Sequence, residues 1–494
     1  MKTIAIVGAG PGGLASAMML AAQGNDVHVF EKQHVFGGRN AKLKLGDYEF
    51  DVGPTFFSMP HILEEIFEAS GRKLEDYVSL RELDPMYHLK FEDQNLTMYR
   101  DPSKMKKELS EHFPGSEQGY ERFMAETRKR MAALMPMLQN RHHRLIDYVR
   151  PRTLKALPQL ALGKSLYDVL SQYFSDERLK LAFTFQAKYL GMSPWECPGA
   201  FSILSFMEHE YGVYHPIGGV NQISKAMAEV VEEYGGRIHL NKGVNELILN
   251  GSSVEGVELQ DGSRFYADEV IMNADFAQAM STLVKPQTLK KYSKENLSKR
   301  KYSCSTFMMY IGVNKEVDLP HHTIIFSQDY KQNVEEITKT KELSQDPSIY
   351  VHNACKTDPT LAPEGKSALY ILAPVPNNFS EIDWDQKKLE YRKLILEQLE
   401  EKAGLSIEED IEVEKILTPK GWELDHDVYQ GATFNFGHQL SQMMYFRPHN
   451  RFEELSNCWI VGGGTHPGSG LPTILESARI TSNWLMENKE VKRV

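Results

Sequence analysis

An α/β fold with a parallel, dinucleotide-type sheet assembled from separated stretches of chain is predicted by three glycine-rich turns. They are IAIVGAGPGGLASAMMLAAQGNDVHVFE at 4–31, PIGGV at 216–220 and GGGTHPGSGLP at 462–472. Each leads into a helix-like segment, the context in which backbone N–H groups approach an anionic ligand.

The first turn is the most informative. An apolar strand, Ile4 to Val7, runs into Gly8, Gly10, Pro11, Gly12 and Gly13, then an alanine-rich helix, then a second strand ending at Glu31. Gly8 allows the tight turn, Gly10 lets the backbone approach a pyrophosphate, and Gly13 lets the helix lie close to the strand. This order of elements is the Rossmann-like pattern. Glu31 stands where a carboxylate accepts hydrogen bonds from a ribose diol, which favours FAD or NAD over NADP. Gly37-Gly38-Arg39 follows, adding a second backbone turn and a guanidinium whose planar fork suits phosphate oxygens.

The pattern returns after residue 215. A helix with Ile223, Met227, Val230 and Val231 on its apolar face ends at Gly235-Gly236, and a strand follows at 237–240. Val244 to Leu249 and Val254 to Leu259 read as a hairpin about Asn250-Gly251. A further strand at 269–275 ends in Asp275, at the carboxyl edge where open α/β sheets bind ligands. The third turn joins the strand 458–461 to a helix expected over 473–487, and Gly463, Gly464 and Pro472 give it a phosphate or ribityl contact. Residues 1–85, 216–284 and 426–494 thus form a discontinuous cofactor domain. Residues 86–215 and 285–425, richer in aromatics and methionine, form an inserted α+β domain.

At 494 residues the chain suffices for two domains, and 41% hydrophobic with 25% charged residues is ordinary globular composition. A net charge of −11 excludes a general nucleic-acid binder. Cys197, Cys304, Cys355 and Cys458 lack CxxC or His-coupled spacing, which points to buried thiols in a reducing cytosol, with no disulfide framework and no metal site. No secretory signal and no long uncharged apolar run is found, leaving a soluble or peripheral protein. Between 128 and 164, nine Lys/Arg face one acid, Asp147, with leucine and methionine interleaved. Two readings are open there: a surface resting on an anionic bilayer, or a helical lid whose apolar stripe is core. Pro136, Pro151 and Pro158 blur the periodicity that would separate them.

Several blocks together resemble one family. FDVGPT at 50–55, YGVYHPIGGVNQI at 211–223, YSCSTFMMYIG at 302–312 and GGGTHPGSGLP at 462–472 look like the bacterial phytoene desaturases, within the FAD-dependent amine oxidase and carotenoid desaturase superfamily. YSCS together with SIYVHNACKTDPTLAPEGKSALYIL at 348–372 is most similar to the branch acting on the C30 precursor 4,4′-diapophytoene. The resemblance spans residue 4 to about 485. It implies FAD, held in part by Gly38, Arg39 and backbone near Val244 at the adenine. It also implies dehydrogenation of a long apolar isoprenoid to 4,4′-diaponeurosporene or 4,4′-diapolycopene. A delocalised allylic cation needs no strong base, so Asp275, His466 and Glu476, in descending order, are candidates only for a supporting role. Asp275 reads equally well as a helix cap, and His466 as bonded into its own loop. Phe183, Phe185, Tyr189, Phe206, Tyr211, Met308, Met309 and Tyr310 are candidates for an apolar tunnel. A bilayer-dissolved substrate tips residues 128–164 toward peripheral association with the cytoplasmic face of the membrane. The resemblance leaves a terminal-methyl oxygenase, a C40 phytoene desaturase and a non-catalytic flavin-binding membrane partner as alternatives, and it leaves the oligomeric state open.

Overall fold

Five short strands, all parallel, make the sheet into which the first glycine turn is built. Their order is Cys458–Ile460, Glu269–Met272, Thr3–Val7, Asp26–Phe30, Arg237–His239. The computed structural model describes residues 1–491, and of Arg152, Lys155, Tyr189 and residues 488–491 the backbone alone. In the first strand Ile4 and Ile6 enter one apolar cluster and Ala5 and Val7 another, so both faces are covered and the apolar run is unbroken. Helix Pro11–Ala22 lies on one face between Asn221–Glu233 and Leu471–Val491. It is buried from Gly12 to Ala21, which is why its sequence is apolar all round. On the other side lies a three-stranded antiparallel sheet, Val244–Asn250, Ser253–Leu259 and Arg264–Tyr266, whose first turn is Gly251-Ser252, one residue beyond the expected Asn250-Gly251, because Asn250 still pairs with Ser253.

Two further boundaries differ from the sequence reading. The strand expected over 269–275 stops at Met272, because the Asp275 carboxylate accepts from Gln278 N (3.3 Å) and caps the helix Phe276–Thr282. The C-terminal helix starts at Leu471, not Thr473.

A seven-stranded mixed sheet stands beside the first, in the order Ile411–Leu417, Ser305–Val313, Ser367–Val375, Ile349–Asn353, His322–Ile325, Tyr87–Lys90, Asn95–Met98. Its side chains alternate strictly. Phe307, Met309, Ile311, Leu369 and Ile371 pack beneath helix Trp384–Ala403, while Met308, Tyr310, Tyr370 and Leu372 turn toward the main core. Met309 therefore lies on the far face from Met308 and Tyr310, so these three tunnel candidates do not share one surface. The side chain of Tyr189 lies outside the described residues.

The basic segment divides in two. Helix Glu117–Leu138 buries Met131, Leu134 and Met137, so this half is core. Beyond it, Leu145, Ile146, Val149, Leu154, Leu157 and Leu162 are exposed, Leu145 to 66%. No helix among the described residues is long and apolar enough to cross a membrane.

Candidate active site

A cleft of about 400 Å³ opens at the carboxyl ends of the parallel strands. It brings together Gly8, Gly10, Pro11, Gly12, Glu31, Gly38, Arg39, Val244, Asp275, Gly463 and Gly464 from all three stretches of the discontinuous half. Gly13, Pro472, His466 and Glu476 are not on its wall.

The glycine turn is shaped by close approach. Gly8 has φ +96°, and a Cβ there would stand 3.0 Å from the carbonyl oxygen of Asn273. A Cβ on Gly13 would stand 2.3 Å from the oxygen of Gly8, so Gly13 acts by letting the helix sit against the strand. No side chain caps the N-terminus of helix Pro11–Ala22 and no acid lies in its first turn, which leaves its amides and positive dipole end for an anion. At the end of the second strand, Glu31 accepts from Ala9 N (2.8 Å) through one carboxylate oxygen and from Gln33 N (2.9 Å) through the other. Each oxygen keeps a further lone pair for a diol. These features fit a dinucleotide with an unphosphorylated ribose.

Arg39 is not free to act on a phosphate alone. Its Nη2 donates to Asp275 Oδ2 at 2.6 Å. Asn435, turned to satisfy both neighbours, donates to the same oxygen at 2.8 Å and accepts from Arg39 Nη1 at 3.0 Å. Burial raises the Asp275 carboxyl and Arg39 opposes that shift. Asp275 is thus a helix cap, one of the two readings its sequence position allowed, and an anchor for Arg39 on the cleft wall. His466 is held elsewhere. Its Nε2 lies 3.0 Å from Asn140 O, away from the cleft, and burial takes its pKa down to about 3. The carboxylate of Glu476 accepts from Gln139 (3.1 Å) and binds Arg479 through both oxygens.

The sequence reading missed several wall residues. Asn273 Nδ2 donates to Gly8 O (3.0 Å) and clamps the turn. Its signal was its place two residues before Asp275, where the strand ends. Tyr310, which the sequence offered only as a tunnel candidate, reaches the wall from the seven-stranded sheet and donates to Val52 O at 2.6 Å. His426 also lines it, held neutral by burial with a pKa near 4.

A parallel nucleotide sheet, an uncapped glycine-rich helix start, and a second sheet beside the same cleft define a dinucleotide-binding α/β protein. Residues 11–485 match the family described as flavin containing amine oxidoreductase, and the chain belongs to that family. Within it the chain groups with carotenoid desaturases. A 4,4′-diapophytoene desaturase (4,4′-diapolycopene-forming) of Methylomonas sp is 51% identical over 99% of this chain and 96% of its own. A zeta-carotene-forming phytoene desaturase of Myxococcus xanthus is 37% identical over 98% of this chain and 94% of its own. Among solved structures, a putrescine oxidase bound to putrescine superposes with a TM-score of 0.64 at 16% identity, covering 99% of both chains. That likeness shows the fold.

Proposed function

We propose that the chain is an FAD-dependent desaturase that dehydrogenates 4,4′-diapophytoene stepwise to 4,4′-diaponeurosporene or 4,4′-diapolycopene. The observation that carries this reading is the 51% identity, across 99% of the chain, to the Methylomonas enzyme named for that reaction. The cradle of Gly8, Gly10 and Gly12 with Glu31 and Arg39 supports FAD as the flavin, since both a pyrophosphate and a ribose diol find partners there. Residues 1–85, 216–284 and 426–494 would hold it, and residues 86–215 and 285–425 would hold the isoprenoid.

When bound, the flavin supplies the acceptor for a hydride from an allylic carbon. The chain's own part is to position and to exclude water. Of the inner side chains of the large sheet, Tyr310 reaches the cleft wall, where it would meet a polyene held against the flavin. On the cleft wall Glu31 is committed to two backbone amides, Asp275 to Arg39 and Tyr310 to Val52, which leaves the neutral His426 imidazole as the group nearest in kind to a base. Positive charge developing on an allyl unit is spread over the polyene itself, so a strong base is not required, and a weak acceptor such as the neutral His426 imidazole would take the proton lost from the adjacent carbon.

The apolar side chains exposed between Leu145 and Leu162 support peripheral attachment to the cytoplasmic face of a membrane, where the substrate dissolves. The test of the reaction is pigment analysis in a host that makes 4,4′-diapophytoene, with and without this chain. Oxygen-free coloured polyenes are expected. Aldehydes formed only in a host supplying 4,4′-diapolycopene would move the assignment to an oxygenase, and equal conversion of C40 phytoene would remove the C30 assignment.

A further inference from the structure

A second set of polar groups lies where the chain leading into the PIGGV turn meets the seven-stranded sheet. His215 belongs to the strand Tyr214–Pro216, His321 directly precedes the strand His322–Ile325, and His352 belongs to Ile349–Asn353. One ring nitrogen of each lies within 4.8 Å of the others. The three residues are buried, at 0%, 6% and 3% exposure.

Their hydrogen bonds fix which nitrogens face inward. His215 Nε2 stands 3.1 Å from Asp358 Oδ2, which also accepts from Gly218 N at 2.6 Å. Burial raises the Asp358 carboxyl, and hydrogen bonds from His215, Thr360 and Gly218 outweigh it, holding the group below the usual carboxylate range. A carboxylate oxygen accepts, so His215 Nε2 is the donor to Asp358 and Nδ1 is the ring nitrogen left for another partner. That Nδ1 is buried and has no hydrogen-bond partner among the described residues. His321 Nδ1 is 2.8 Å from Thr357 Oγ1, and its Nε2 is 3.1 Å from His352 Nε2.

We propose that His215 Nδ1, His321 Nε2 and His352 Nε2 form a three-histidine site for a divalent first-row metal ion, with zinc(II) as the ion to test. The donor set suits the ion, since neutral imidazole is a preferred ligand of zinc and its neighbours. Asp358 and Thr357 stand behind the ligands as acceptors for their outer nitrogens, the arrangement that orients metal-bound histidines. A purely hydrogen-bonded trio explains less. One proton shared between His321 and His352 satisfies that pair and leaves His215 Nδ1 buried without a partner, which carries a desolvation cost. An ion satisfies all three. Access is provided, because Thr357 and Asp358 also line an open surface cleft with Arg81 and Ile217. The ion would tie the PIGGV approach to two strands of the large sheet. Its role would be structural, outside the flavin cleft.

The test uses the purified full-length flavoprotein, stripped with a chelator and titrated with cobalt(II) and then zinc(II). One equivalent of cobalt is expected to give the visible absorption of a tetrahedral nitrogen-ligated ion, and one equivalent of zinc to abolish it. X-ray absorption of the zinc form is expected to show three imidazoles. His321→Gln is expected to lower zinc affinity by at least a hundredfold with flavin absorbance retained. Asp358→Asn, which leaves the three ligands in place, is expected to lower it by about 10–100-fold. Absence of saturable binding by the unsubstituted protein at one equivalent would overturn the proposal without recourse to any variant. So would equal binding by His321→Gln, which would place the ion on a surface group such as Glu108, Glu111 and His112.

Discussion

Arg39 is set in the cleft wall by Asp275 and Asn435, so its position is fixed by side chains of two distant segments. Lysine at this position keeps the charge and loses the planar fork. Arg39→Lys is therefore expected to weaken flavin binding about 10–100-fold, the equivalent of one charge-assisted hydrogen bond. Flavin fluorescence on titration of the stripped protein measures this, and an unchanged affinity would remove Arg39 from the cofactor site. Lys188 makes a separate prediction. It is buried, donates to Asn333 Oδ1 at 3.0 Å and lies 4.4 Å from the centre of the Tyr330 ring. Burial takes its pKa down to about 7 from 10.5. Between those values the unfolded chain holds a proton that the folded one does not, so the stability of the protein rises with pH across that window. Below about 7 the folded state must bury the charge. Lys188→Met is expected to raise stability by roughly 1–4 kcal/mol at pH 6, the range for replacing buried charge by packed apolar groups. That gain should shrink toward pH 10.5. Thermal melts across pH decide it, and a gain independent of pH would mean that Lys188 is not the titrating group.

At the scale of elements, the nucleotide turn depends on the closeness of helix Pro11–Ala22 to the first strand. Gly13→Ala places a methyl 2.3 Å from a backbone oxygen, and neither side of that contact is a flexible side chain. Helix and strand must part, at a cost of about 1–3 kcal/mol for overpacking, and the amides aimed at the pyrophosphate move with the helix. The purified variant is expected to carry substoichiometric flavin and to melt earlier, whereas full flavin occupancy would show that the separation is harmless. The same element shows what a sequence makes legible. The glycine spacing and Glu31 are readable because their geometry is local, set within about thirty residues. The end of the strand at Met272 was not, because it is set by Asn273 turning to clamp Gly8 and by the capping bond with which Asp275 starts a helix. The places of His466 and Glu476 off the cleft wall were not legible because the partners that hold them, Asn140 and Gln139, lie more than three hundred residues away. The alternation of Met308, Met309 and Tyr310 follows from the period of a strand, but which face meets the cleft depends on where helix Trp384–Ala403 packs. His215, His321 and His352 meet only because three separated segments converge, so no spacing rule reaches them.

For the whole molecule, the net charge of −11 opposes approach to an anionic bilayer, so any docking face must overcome it locally. The basic residues of 128–164 do this less than their number suggests. Arg128 pairs with Glu210, Arg141 with Glu487 and Arg150 with Asp147. Apolar area is then the larger resource. Leu145, Ile146, Val149, Leu154, Leu157 and Leu162 are all more than a third exposed within eighteen residues, a density that a surface in contact with water alone does not require. Burying the remaining area of each is worth about 1 kcal/mol, and six together suffice for reversible attachment of the kind that a lipid-dissolved substrate demands. The dependence on salt should accordingly be shallow. In flotation with vesicles of mixed neutral and anionic lipid, the protein is expected to rise with the vesicles at both low and physiological salt. Leu145→Asp combined with Ile146→Asp and Val149→Asp should leave flavin content and melting temperature unchanged, since none of these side chains is buried, and should cut the floated fraction at least tenfold. A protein that stays below the vesicles at every salt concentration would leave these six side chains without a bilayer to explain them, and the isoprenoid would then have to be delivered by a carrier.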